Sequence, residues 1–320
     1  MLIDLNKATE LIHAGKLLHI AADEKLLAQL PSGNWIGGTT PYFIAENGGV
    51  TTDELLFVTE LKPAKSFKAK AYDAESIHNV AADAYDNGFT ILIIPFGSKV
   101  LETFAKDAPE IDQIFLKNVA GWVSGFHLAT NGAAKAFDGT CGVSFADRAV
   151  ALHVELPQGK LASIGIVNLF EPDSAGPVIE FADSSFEAVT CLVDGKETAF
   201  ADYIAANGID TKLPLVANYN GANVNISIKA IEEGTVHFYA PVFSGTQYRF
   251  ARPIGDYAAE FGRTISGYVE NAPVFSCNCI LNYLYGALEG KGTKPFSGPV
   301  TFGEVAYQLL NQTLVYITVQ

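Results

Sequence analysis

Two thiols stand where an apolar run, Pro273-Val274-Phe275-Ser276, ends in Cys277-Asn278-Cys279 and helical spacing takes over across 280–288. Unpaired backbone N–H groups at a helix start favour an anion. A thiol placed there has its pKa lowered, to roughly 3.5–7.5, and becomes nucleophilic. On that chemistry Cys277 would serve a thiol-dependent hydrolase or transferase. The competing reading makes Cys277 and Cys279 compact hydrophobes packed at a strand end, since no histidine stands near them in sequence to act as base. A Cys-x-Cys pair also suits a soft metal, but a closed site takes about four ligands, and no second cysteine cluster exists.

Glu304 is the second candidate. It follows Gly303 in a turn ahead of the last strand, where a carboxylate either receives a ligand ammonium or accepts N–H groups of its own turn. The anion-favouring segment around Asn278 and the cation-favouring Glu304 would together suit a small zwitterion. Trp35, Thr39, Thr40 and Tyr42 surround Gly37-Gly38, and Trp122 and His127 flank Ser124-Gly125. Aromatic walls with a few polar anchors resemble a ligand pocket; the same residues also suit buried strands that cross closely at glycine. The six histidines show no zinc-motif spacing. His127 and His237 have the apolar surroundings of a proximal haem ligand, or of ordinary core histidines. Arg249 and Arg252, three apart in a strand, would face opposite ways.

Composition narrows the function classes. The chain has 320 residues, 49% of them hydrophobic, which is ample for two cores. Its 35 acidic residues outnumber 21 basic ones, for a net charge of −14. That balance argues against nucleic acid and anionic membranes, both of which need clustered Lys and Arg. The amino terminus has no signal-peptide pattern, and no apolar run reaches the roughly 20 residues of a membrane span. Four cysteines without a CxxC pair point to a reducing, cytoplasmic setting.

The elements that must position these residues follow from periodicity and punctuation. Helices are expected at 5–15, from an Asp23 cap to 30, at 74–86 and at 99–106. The near-continuous apolar run 89–96 reads as a strand covered on both faces. From 149 onward short strands with Pro/Gly turns dominate, interrupted by one helix at 199–206, and these should pair antiparallel. The expected fold class is α+β: two sequential α/β modules with mixed sheets covered by helices, divided as 1–158 and 159–320 at the turn Pro157-Gln158-Gly159. A Gly-Thr-type turn precedes a strand in both halves, at Gly38-Thr39 and at Thr301-Phe302-Gly303, as a duplication would leave.

Several segments resemble the FIST sensory family, whose members carry an amino-terminal and a carboxy-terminal FIST domain. Its Ser-Cys strand end resembles Ser276-Cys277. Its Gly-Glu turn resembles Gly298 through Gly303-Glu304, and its Asn-x-Thr before the final strand resembles Asn311-Gln312-Thr313. Leu192-Val193-Asp194-Gly195, Ala201-Asp202-Tyr203 and Leu213-Pro214-Leu215 are similar to the start of the carboxy-terminal domain. Gly121-Trp122-Val123-Ser124-Gly125 and Phe137-Asp138-Gly139 resemble the amino-terminal core. One departure is clear: the arginine often found after the family's Ser-Cys is replaced here by Asn278-Cys279-Ile280-Leu281. The resemblance implies a stand-alone bacterial sensor of a small molecule, with amino acids as the proposed ligands, acting in trans on a signalling protein. It also leaves room for haem. The site is expected between the two halves.

Overall fold

The computed structural model describes residues 1–130, 132–219, 222–265 and 272–320. Strand far exceeds helix, at 41% against 17%, in several mixed sheets: an α+β fold.

The expected local signals act where helices form. Asp4 caps the helix Leu5–His13 by accepting from the Lys7 N–H at 2.8 Å, and Gly15 ends it with φ +68°. Asp23 caps Glu24–Leu27, and Ser98 caps Lys99–Asp107. The helix expected over 74–86 shrinks to one 3₁₀ turn, Ser76–Asn79. Ile77, Val80 and Ala81 are buried as their spacing demands. The intervening Ser, His, Asn and Asp residues favour turns, however, and Asp73 instead closes a turn by accepting from Ser76 N–H and O–H.

Three sheets build the body that holds the candidate residues. The first has the order Leu2–Ile3, Leu56–Glu60, Leu18–Ala22, Trp35–Thr39, Ala136–Asp138, Val143–Phe145. The second runs Gln308–Leu310, Glu304–Ala306, Val119–Ser124, Gly88–Pro95, Ala149–Glu155, Ser66–Tyr72. The third runs Ala162–Val167, Leu314–Val319, Phe275–Cys279, Gly298–Thr301, Tyr42–Ala45, Gly48–Thr51. Each of their three parallel pairs brackets a helix: 18–22 with 35–39, 88–95 with 119–124, and 275–279 with 298–301. Parallel neighbours cannot be joined by a tight hairpin and need such a crossover.

The strand Gly88–Pro95 is buried at every position, as its apolar run requires. Phe89, Ile91 and Ile93 face a core shared with the first and third sheets, and Leu92 and Ile94 face a second core on the opposite side. That second core also takes in the Lys99–Asp107 helix and the 179–250 region, whose pairings are all antiparallel, as expected.

The division at 158 does not separate two sets of sheets. Glu304–Ala306 pairs with Val119–Ser124, and Gly298–Thr301 pairs with Tyr42–Ala45. Late strands therefore complete sheets begun by the first half. The turn after 156 does carry the chain from one sheet to another, but long-range pairing then draws the carboxy-terminal strands back. That pairing also sets the two Gly-Thr-type turns side by side, with the Thr40 hydroxyl donating to the Val300 carbonyl at 2.8 Å.

Candidate functional site

The strand Phe275–Cys279 runs directly into the helix Ile280–Tyr285, with Cys279 as N-cap. The helix is six residues long and its start is already occupied by protein. Cys279 donates its N–H to Thr313 O at 3.1 Å, and the N–H groups of Gln312 and Leu281 are directed at its sulfur. Cys277 lies in the core against Phe275, Trp122 and Val315, and its thiol donates to Gly121 O at 3.4 Å. Burial pushes both thiols well above their ordinary pKa, and the neighbouring Glu304 pushes them further. The lowered-pKa thiol expected at this helix start is therefore not formed: desolvation outweighs six residues of helix dipole. Among the described residues no group of three or more His, Cys, Asp or Glu converges to hold a metal.

Glu304 is wholly buried. One oxygen accepts from Thr301 Oγ1 at 2.9 Å, and the other accepts from Thr313 Oγ1 at 2.9 Å and Thr313 N at 3.3 Å. Desolvation raises its pKa to about 8 against the opposing pull of these bonds. Thr301 has a second acceptor, Asn278 O at 3.2 Å, so its hydroxyl can donate there and accept a hydrogen bond from Glu304 when the carboxyl is protonated. Glu304 thus ties the 301 turn to the 313 turn and is closed to a ligand ammonium. Gly303 next to it packs against Val123 and Leu309 and faces no cavity.

In front of this buried network lies a partly open cavity of about 240 Å³ at the seam between the halves. Phe96, Phe126, Leu128, Tyr239, Leu281 and Phe302 line it, with Cys279 in the wall, and the Phe302 ring packs against those of Phe96 and Phe126. Asn311 and Lys229 interrupt the mainly apolar lining, beside the tyrosines 239 and 285 and Cys279. Asn311 is 1% exposed; its Nδ2 donates to Leu310 O, and its Oδ1 has no partner. A buried acceptor left empty costs about 1–3 kcal/mol. Lys229 stands at the rim with its ammonium 5.9 Å from the Phe96 ring centre. Leu128, Leu284 and Tyr285, all partly exposed apolar residues, border the mouth.

A second, open cleft of about 700 Å³ lies on the other side of Phe126, which borders both. It gathers Thr39, Thr40 and His127 from the expected set, together with Asp23, Lys25 and Asp53. Tyr42 stands between the two regions: its hydroxyl accepts from Leu128 N at 2.9 Å, and its ring meets those of His127 and Tyr283. The partition is thin, because a Cβ at Gly125 in the cleft wall would lie 2.3 Å from the Phe302 ring in the cavity wall.

Other expected wall residues belong to the interior. Trp35 is buried beneath the helix Leu5–His13 and donates its Nε1–H to Pro31 O. Trp122 donates to His19 Nε2 at 2.9 Å, leaving His19 Nδ1 buried without a partner. Burial lowers the His19 pKa to about 3, so the ring stays neutral. Asn278 is buried and accepts from Asn282 Nδ2. Of the haem candidates, His237 pairs with Glu187 at 3.3 Å, and His127 Nδ1 accepts from Ala129 N. Arg249 donates to Gly176 O, and the cation at the seam is Lys229. Sequence reasoning omitted Lys229, Phe126 and Asn311 from the site. Asn311 had a signal, the Asn-x-Thr motif; Lys229 and Phe126 had none, because strands distant in sequence bring them together.

No curated protein and no solved structure matches the chain. The FIST resemblance therefore rests on the short motifs quoted above. A family model does match, over residues 3–320, and its description is a family of unknown function, DUF6976. With nearly the whole length aligned to that model, the protein belongs to the DUF6976 family.

Proposed function

We propose that the protein binds a small, largely apolar molecule in the seam cavity and acts as a sensor, its occupied form being read by a signalling partner in trans. The observation that carries this reading is a mainly apolar cavity lined by Lys229 and by Asn311, whose buried Oδ1 has no partner. Turned toward the space, the Asn311 amide would take an N–H or O–H donor of the ligand, and Lys229 at the rim calls for an anionic group. At about 240 Å³ the space falls below the roughly 300–1,000 Å³ of drug-sized sites. An apolar amino acid meets all three conditions, with its ammonium toward Asn311 and its carboxylate toward Lys229. Haem is too large for it.

The cavity walls come from segments 96–128, 229–239 and 279–311, so a ligand that fills it favours the conformation in which those segments close together. A hundredfold preference for that conformation corresponds to about 2.7 kcal/mol. Thermal denaturation against amino acids, small carboxylates and nucleosides tests the proposal. A ligand at about 100 times its Kd should add roughly 2.7 kcal/mol, or several degrees. Asn311→Leu and Lys229→Ala should each abolish that shift. A flat response across all classes, or a shift that survives both substitutions, would refute the assignment.

The thiol-enzyme alternative finds no support in this site, because Cys277 is walled into the core and held protonated.

A further inference from the structure

The three body sheets end in six edge strands, and five of them are poorly suited to receive another strand. Leu2–Ile3, Val143–Phe145, Gln308–Leu310 and Gly48–Thr51 have two to four residues each, and Ser66–Tyr72 carries Lys68 and Lys70. Short or lysine-bearing edges keep sheets from joining one another. Ala162–Val167 differs: it has six residues, no charge and no proline, and it pairs in unbroken register with Leu314–Val319 on one side only.

The ladder determines which backbone groups of this strand are free. Leu161 and Gln320 exchange both N–H···O bonds, at 3.1 and 3.0 Å. Bonded and non-bonded pairs alternate along an antiparallel ladder, so Ser163, Gly165 and Val167 bond to the neighbouring strand. Ile164 and Ile166 turn their N–H and C=O groups outward, where they have no partner among the described residues. Their side chains pack on the core between the sheets, which holds the strand extended. A second observation lies beside this edge. Leu116, Leu161 and Phe115, at 82%, 69% and 62%, are the most exposed large apolar side chains among the described residues. Leu161 directly precedes the strand, and Asn118 Nδ2 donates to Ala162 O at 3.2 Å, which brings the 115–116 turn close to it. Charge permits a contact between like surfaces: the chain carries 35 acidic residues, yet none falls between Leu156 and Phe170, where Lys160 is the only charge.

We propose that this edge pairs with the same edge of a second copy of the chain, giving a two-fold dimer whose sheet continues across both molecules. A strand that meets itself about a two-fold axis lies antiparallel and contacts an identical surface. Centred on Gly165, the pairing sets Ile164 of each copy against Ile166 of the other, and their outward N–H and C=O groups satisfy one another. The two Gly165 residues then form a non-hydrogen-bonded pair, the closer kind, and have no side chains to collide. Leu161 of each copy is carried to the 167–169 end of the other. The contact makes no use of the seam cavity, so it fails or holds independently of the ligand assignment.

Sedimentation equilibrium of the full-length protein, with hydrogen exchange at two concentrations, tests this. Wild type should dimerise, and the Ile164 and Ile166 amides should be protected at high concentration and released on dilution. Ile164→Pro removes one outward N–H per copy and leaves the ladder to Leu314–Val319 intact. With a hydrogen bond lost in each copy, dimerisation should weaken about tenfold or more. Leu161→Glu, at a position too exposed to disturb folding, should weaken it several-fold at an unchanged Tm. Leu192→Glu, on a strand outside these sheets, should dimerise like wild type. A wild type that stays monomeric would overturn the proposal, as would a dimer that neither Ile164→Pro nor Leu161→Glu weakens, or exchange at 164 and 166 that does not depend on concentration.

Discussion

The seam and the cleft each hold a carboxylate, and the two could hardly behave less alike. Glu304 is shut away behind the seam cavity, bonded to Thr301 and Thr313, with a pKa raised to about 8 by desolvation. Asp53 lies in the open, where its bond to Lys25 holds its carboxyl below the usual range. The same functional group is a structural cross-link in one place and a solvated charge in the other. Burial decides which, and so decides that the buried carboxylate stabilises the fold while the exposed one is free to meet a ligand.

The sharpest way to break that comparison is to delete each carboxylate. Glu304→Ala strips the partner from the Thr313 hydroxyl and backbone N–H, Thr301 keeping Asn278 O as its acceptor, at about 1–3 kcal/mol for each buried group left unsatisfied. A loss of about 3 kcal/mol or more is expected, lowering Tm by on the order of 10 °C. Asp53→Ala should melt within a degree of wild type. Equal effects from the two would show that the burial contrast has been misread.

Acidity provides the next test. Glu304 has a folded pKa above its ordinary 4.5, so the folded state holds the proton more tightly. Its stabilising contribution is complete below about pH 4.5 and is lost as pH rises through 8, a fall of a few kcal/mol. His19 and His153 run the other way: burial lowers them from 6.5 to about 3 and about 4. Their contribution is present above 6.5 and is lost as pH falls. Glu304→Gln removes only the first effect. Wild-type Tm should therefore decline more steeply than that of Glu304→Gln between about pH 6 and 8.5, whereas Asp53→Asn should track wild type. Parallel wild-type and Glu304→Gln curves would mean that Glu304 does not titrate there.

A smaller effect is expected from the partition. Gly125→Ala drives a methyl group into the Phe302 ring, an overpacking worth about 1–3 kcal/mol. Displacement of Phe302 should also narrow the seam cavity, so any ligand found for it should bind more weakly to this variant. The least perturbing probe is thiol labelling. Cys141 is exposed, whereas Cys191, Cys277 and Cys279 are buried. Intact-mass measurement after iodoacetamide treatment should show one modification in the native protein and four in denaturant. Rapid native labelling of Cys277 would revive the enzyme reading.

Much of the local architecture was legible in the sequence. Asp4 and Asp23 cap the helices they precede, Gly15 and Gly208 end helices with positive φ, and the 89–96 run is buried on both faces as far as Pro95. The change from strand to helix after Cys279 was also legible. All of these depend on hydrogen bonds or periodicities spanning a few residues. The 74–86 segment marks the limit: apolar spacing identified its buried side, but turn-forming side chains prevailed over the helix.

The site was a matter for the tertiary structure. Thr40 meets Val300 across 260 positions, and Phe126, Lys229 and Asn311 line one cavity from three distant segments. Residue types at 277, 279 and 304 marked a chemically notable corner but left two outcomes open for each. Solvent exclusion by strands paired far along the chain selected the buried, protonated outcome. Sequence patterns encode the near-neighbour bonds that make caps, turns and strands; dielectric environment and cavity shape arise only when those elements pack, and they determine what each side chain can do.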